Sequence, residues 1–157
     1  VWDERDRGLY EEDVYLKQFQ ELDPEDAEDI EKVIRGTGGT IHKRPYADTW
    51  VKYLKSKGYH VYILSNYSSY MLDHTKKELT FRREMDGEVF SCYAKQLKPD
   101  AEIYQTILNK YQLKPEECVF IDDRPENCRG AQEQGIHTIC FKDFKQVTAD
   151  LEKLGVK

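Results

Sequence analysis

Apolar positions recur along this chain with two different spacings, and the change falls near residue 43. Before it the period is helical throughout. Val14, Tyr15, Leu16, Phe19 and Leu22 share one stripe, and Ile30, Val33 and Ile34 form the apolar face of a second helix. Asp23-Pro24 reads as an N-cap followed by proline at the first helical position, and so predicts where that second helix opens. Gly36-Thr37-Gly38-Gly39-Thr40 then breaks the pattern. It lacks the following Gly-Lys-Ser/Thr of a phosphate-cradling loop and reads as a helix terminus or hinge.

From Arg44-Pro45 onward helical and strand periods alternate. Trp50, Val51 and Leu54 predict a helix that stops at Gly58, His60–Leu64 a strand, Tyr67–Lys77 a helix and Glu88–Tyr93 a short strand. Ile103, Tyr104, Ile107, Leu108 and Tyr111 predict an amphipathic helix. Cys118–Ile121 then reads as a strand, Pro125–Gln134 as a helix ended by Gly135, and His137–Phe141 as a strand. Val147, Leu151 and Leu154 predict the last helix. Such alternation predicts an α/β fold, a Rossmann-like parallel sheet with helices on both faces. The division at residue 43 predicts a small helical unit, 1–43, appended to an α/β core, 44–157.

Composition narrows the partners. The 157 residues are 34% charged with a net charge of −6, and no basic stripe stands out, which argues against nucleic acid. No apolar run approaches the roughly 18 residues of a membrane span, so a soluble, cytoplasmic protein is expected. Oligomeric state leaves no trace in the sequence. The four cysteines show neither CxxC nor zinc spacing and read as reduced structural thiols, and the four histidines as surface or loop residues.

The chemistry concentrates at the carboxyl ends of predicted strands, where open α/β sheets bind ligands. Asp122 and Asp123 end the run Cys118-Val119-Phe120-Ile121. Two adjacent carboxylates at a strand tip repel and lose hydration, which a hard cation such as Mg²⁺ compensates; the alternative is one Asp capping the next helix and one solvated. Ser65-Asn66 follows the strand His60–Leu64, and Lys98-Pro99-Asp100 precedes the strongest helix. A hydroxyl, an ammonium and an acidic pair at successive crossovers form a receptacle for a phosphoryl group bridged to Mg²⁺.

Val61-Tyr62-Ile63-Leu64-Ser65-Asn66, Leu97-Lys98-Pro99-Asp100 and Val119 through Asn127 resemble, in order and spacing, the second, third and fourth motifs of the haloacid dehalogenase superfamily. The chain is most similar to its small-capped phosphatases, the branch with glucose-1-phosphatase-type enzymes and the phosphatase domain of soluble epoxide hydrolase. Trp2 with Asp6-Arg7-Gly8 resembles the start of that branch's helical cap. The resemblance implies a phosphatase acting on a small phosphorylated metabolite through an aspartyl-phosphate. It also implies that Ser65, with Asn66, binds the phosphoryl group, that Lys98 neutralises its charge, and that Asp123 ligates Mg²⁺. Asp122 would join the metal site beside it, as a ligand through water or in an outer shell, Asn127 would orient a ligand, and Arg7 would contact substrate from the cap.

One element departs from the pattern. The superfamily's first motif, an apolar strand ending in the attacking Asp, has no match before Arg44. Asp143 follows a strand, but at the position of the last crossover. The expectation is therefore that Val1 is not the biological start, that roughly 20–50 residues carrying this strand, a central one, lie upstream, that its absence leaves sheet edges uncovered, and that the printed chain has little turnover. Two alternatives stand beside the phosphatase reading: a metal-free 2-haloacid dehalogenase, against which Asp122-Asp123 counts, and a non-catalytic binding protein.

Overall fold

The computed structural model describes residues 1–156. Helices α1 (Trp2–Arg7), α2 (Glu12–Leu22) and α3 (Ala27–Gly36) come first. They are followed by α4 (Ala47–Ser56), β1 (Tyr62–Ser65), α5 (Ser69–His74), β2 (Gly87–Phe90), α6 (Ser91–Ala94) and α7 (Ala101–Lys110). The chain ends with β3 (Val119–Asp122), α8 (Pro125–Glu133), β4 (His137–Cys140) and α9 (Phe144–Lys153).

Both strand pairs are parallel, as α/β alternation requires. Tyr62 lies opposite Gly87 and Ser65 opposite Phe90; Val119 lies opposite His137 and Asp122 opposite Cys140. Among the described residues the strands stand as two halves, β1–β2 and β3–β4, with no strand hydrogen bonds between them. The His137 N–H donates to the Cys118 carbonyl and the Phe141 N–H to the Asp122 carbonyl. By alternation, Val119 and Ile121 turn their N–H and C=O groups to the opposite edge of β3.

Side-chain alternation covers both faces. Tyr62, Leu64 and Phe120 pack on one side against Ile103, Tyr104, Ile107, Leu108 and Ala131 of α7 and α8. Val119 and Ile121 pack on the other against Ile139, Val147, Leu151 and Trp50, while Ile63 meets Leu72 and Phe90. The period of two thus puts successive strand residues into different cores. In α7, buried positions at i, i+1, i+4 and i+5 form the predicted apolar face.

Three predicted boundaries shift. Asp23 ends α2, and α3 begins only at Ala27 because residues 24–26 reverse the chain; the Gln20 amide donates to the Ala27 carbonyl at 2.9 Å. The helix predicted over Tyr67–Lys77 shrinks to α5, capped by the Ser68 hydroxyl and ending where the Thr75 hydroxyl takes the Met71 carbonyl at 2.6 Å. Strand β2 stops at Phe90. The Ser91 hydroxyl there accepts the Tyr67 N–H and donates to the Asp6 carbonyl, which turns the chain into α6.

Helices α1–α3 are held together through Arg5, which is buried and donates to Glu12 at 2.6–3.1 Å. They sit on the core through Arg7–Asp100 at 3.5 Å, Lys95 to the Gly8 carbonyl and Tyr70 to the Arg35 carbonyl. Burial holds the Asp6 carboxyl up at about 6, against the smaller opposing pull of Arg5. No helix of the described residues is long and apolar enough to cross a membrane.

Two stability measurements follow. A Cβ at Gly130 would stand 2.5 Å from the Pro99 carbonyl oxygen and 3.1 Å from the Tyr104 ring, so Gly130→Ala should cost roughly 1–3 kcal/mol in chemical denaturation. An unchanged midpoint would remove this helix–loop contact from the account. For Asp6, a raised folded-state pKa means that its favourable contribution is complete below pH 3.8 and disappears as pH rises through about 6. Stability curves for Asp6→Asn should therefore match the parent near pH 4 and exceed it at pH 8, by about 1 kcal/mol after allowing for partial exposure. A gain of equal size at both pH values would contradict the assignment.

Candidate active site

The crest is assembled from the ends of β1 and β3 and the loop before α7. Strand β1 stops at Ser65, so Asn66 begins the connection to α5 and can reach the loop before α7. Its side chain makes a two-way clamp there: the Asn66 amide donates to the Lys98 carbonyl at 2.9 Å, and the Lys98 N–H donates to Asn66 Oδ1 at 2.9 Å. The clamp fixes the backbone of Lys98 and aims its side chain back over the strand tips. Lys98 Nζ donates to the Leu64 carbonyl at 3.0 Å and to Asp122 Oδ2 at 2.6 Å, and lies 5.4 Å from the Phe120 ring centre. One ammonium therefore spans the ends of the two half-sheets. Both partners of the ion pair are only 8% exposed, so the pairing operates with little screening.

The two acids of the tip have opposite surroundings. Asp122 is saturated: besides Lys98 it accepts the Arg124 N–H and the Asn127 amide, each at 2.9 Å on Oδ1. Asn127 is itself buried, and its carbonyl accepts the Tyr104 hydroxyl at 2.8 Å. Burial, with the Asp122 charge nearby, pushes the Tyr104 phenol up, so it stays a proton donor. Asp123 is exposed, and its carboxylate has no partner among the described residues. The Ser65 hydroxyl is half-buried and makes only a 3.5 Å contact with the Asn66 carbonyl, which leaves it available.

Of the residues singled out in the sequence, Asn66, Lys98, Asp122 and Asn127 join one hydrogen-bonded network, next in sequence to Ser65 and Asp123. Arg7 reaches only the edge, through Asp100. Asp143, the other acid after a strand, caps α9 by accepting the Gln146 N–H at 2.8 Å. Sequence reasoning did not anticipate Tyr104 as the support of Asn127; the signal was a tyrosine on the most buried stripe of a helix, whose hydroxyl needs a partner.

The donor set bears on a metal. No three His, Cys, Asp or Glu side chains converge among the described residues. A hard-oxygen carboxylate without a partner, Asp123, and a buried amide oxygen without a donor, Asn127 Oδ1, lie at this end of the sheet. That set fits Mg²⁺, which commonly takes one or two carboxylates and fills its octahedron with water and phosphate oxygens, and falls short of the closed cage other cations need.

Comparison with known proteins agrees with this architecture. The sequence model of the haloacid dehalogenase-like hydrolases matches residues 2–135. Flavin mononucleotide hydrolase 1 of Arabidopsis thaliana is 26% identical over 99% of this chain and 62% of its own length. The sesquiterpene phosphatase astK of Aspergillus oryzae is 25% identical over 98% of this chain and 79% of its own. The chain thus spans about three fifths of the plant relative. A haloacid dehalogenase family enzyme from Bacteroides thetaiotaomicron, solved with magnesium and inorganic phosphate, superposes with a TM-score of 0.74, covering 92% of this chain and 76% of its own. At 23% identity that likeness is one of fold. With the family match over most of the chain and the same fold in a solved relative, the chain belongs to the haloacid dehalogenase-like hydrolases.

Proposed function

We propose that the crest binds the phosphoryl group of a small phosphorylated metabolite and serves its Mg²⁺-dependent hydrolysis. The observation carrying this reading is the buried Lys98–Asp122 pair beside the unpartnered Asp123. Lys98 has three N–H donors and spends two on Leu64 and Asp122. Its third is free for an equatorial phosphoryl oxygen, and the Ser65 hydroxyl donates to another. Asp122 holds the ammonium in place, Asn66 fixes the backbone beneath it, and Asn127 keeps Asp122 turned inward. Asp123 is the carboxylate that would hold Mg²⁺, which when bound neutralises phosphoryl charge and orients the group.

Residues 1–43 act in this reading as a helical cap over a core of 44–157, with Arg7 drawn toward the Lys98 loop by Asp100. Relatives named as a flavin mononucleotide hydrolase and a sesquiterpene phosphatase support a phosphorylated organic substrate, and a structural neighbour holding magnesium and phosphate supports the cofactor. Four unpaired thiols suit a reducing, cytoplasmic compartment.

Titration calorimetry with inorganic phosphate, with and without Mg²⁺, tests the reading. Phosphate should bind more tightly when Mg²⁺ is present. Ser65→Ala should weaken binding about tenfold, the worth of one hydrogen bond to a charged group. Asp123→Asn should remove the Mg²⁺ dependence while leaving the fold intact. Phosphate binding indifferent to Mg²⁺ and to both substitutions, or release of halide from a 2-haloacid without metal, would overturn it.

A further inference from the structure

Two thiols lie directly beneath the acidic tip, and the chemistry above uses neither. Cys140 is the last residue of β4 and stands in register with Asp122. Cys128 sits one turn into α8, where its N–H donates to the Arg124 carbonyl. The Cys128 thiol donates to the Asp122 carbonyl at 3.5 Å and the Cys140 thiol to the Asp123 carbonyl at 3.9 Å. Burial, with the Cys140 thiol close by, pushes the Cys128 thiol up. A helix and a strand thus place two sulfurs side by side under consecutive carbonyls of the tip. Both cysteines are free.

We propose that Cys128 and Cys140 form a reversible redox site, closing to a disulfide that ties α8 to β4 under Asp122 and Asp123. The other two cysteines are poorly placed to compete. Cys118 lies at the opposite end of β3, four residues or about 13 Å from Asp122, whereas bridged cysteines keep their Cα atoms within about 7 Å. Cys92 belongs to a different core cluster, with Leu72 and Phe90. Cys140 is half-buried and reachable, while Cys128 is buried, which sets the order of events. With a disulfide oxidant such as oxidised glutathione, the Cys140 thiolate attacks one oxidant sulfur and expels one glutathione thiolate. The Cys128 thiolate then attacks the Cys140 sulfur, forms the internal bond and expels the second glutathione. Two protein thiols are oxidised, one glutathione disulfide is reduced to two thiols, and the two protons pass to the released thiolates.

Closure removes both S–H donors from the carbonyls of the tip and links the two elements that carry it. A change in Mg²⁺ response on oxidation rests on the proposed phosphatase reading; the disulfide itself does not.

The test is oxidation of the native chain with excess oxidised glutathione, followed by alkylation, thiol counting and peptide mapping by mass spectrometry. The expected result is two thiols remaining of four, a linked peptide pair joining Cys128 to Cys140, a mass loss of two hydrogens, and full reversal by dithiothreitol. Cys140→Ser should keep its three thiols through the same treatment. Four thiols surviving in the parent, a persistent glutathione adduct without the internal bond, or a linkage through Cys92 or Cys118 would overturn the proposal. The peptide map of the parent decides the matter even if a serine variant folds poorly. Disulfide formation in a chain that fails to bind phosphate would retain this site and remove the phosphatase reading.

Discussion

The buried contact between Lys98 and Asp122 is the constraint from which the crest of this molecule follows. An ammonium and a carboxylate withdrawn from water hold together best when further hydrogen bonds satisfy much of their remaining capacity. Asp122 accepts the Arg124 N–H and the Asn127 amide, while Lys98 also donates to the Leu64 carbonyl, lies against the face of Phe120 and keeps one N–H for a ligand in the proposed reading. The supports extend outward from there. Asn66 holds the Lys98 backbone, Tyr104 holds the carbonyl of Asn127, and Gly130 lets α8 approach Pro99 closely. Two half-sheets that share no strand hydrogen bonds are thereby joined at their carboxyl ends by one ammonium.

The same geometry explains why adjacent, chemically identical acids have different surroundings. Successive residues at a strand end point to opposite sides, so Asp122 turns into the protein while Asp123 turns to solvent. The inner acid takes its compensating charge from the chain itself. The outer one has none, and in the proposed reading draws it from a cation in solution. Beneath both, Cys128 and Cys140 touch the carbonyls of the same two residues, so chemistry at sulfur bears on the backbone of the tip.

Elements with a strong, long-range signal were legible in the sequence. The stripe of Ile103, Tyr104, Ile107 and Leu108 specified α7, and the apolar runs before Ser65 and Asp122 specified strands, because each side chain there has one place to go. Short boundaries were not. Asp23-Pro24 carries the chemistry of a helix start, yet the need to turn between α2 and α3 moved that start to Ala27. The Ser91 hydroxyl ended β2 through contacts with Tyr67 and Asp6, partners distant in sequence that no local pattern reveals. At the site, residue types were legible and their division of labour was not. The resemblance gives Asn66 a part in binding the phosphoryl group; in the structure its oxygen and one N–H of its amide engage the Lys98 backbone.

A crystal structure with Mg²⁺ and a tetrahedral oxyanion such as tungstate tests the central claim most directly. The account predicts the oxyanion within about 3 Å of Ser65 Oγ and Lys98 Nζ, as hydrogen bonding requires. It further predicts the cation on Asp123, with Asp122 still paired to Lys98. An oxyanion bound elsewhere, or a cation that displaces Lys98 from Asp122, would contradict it.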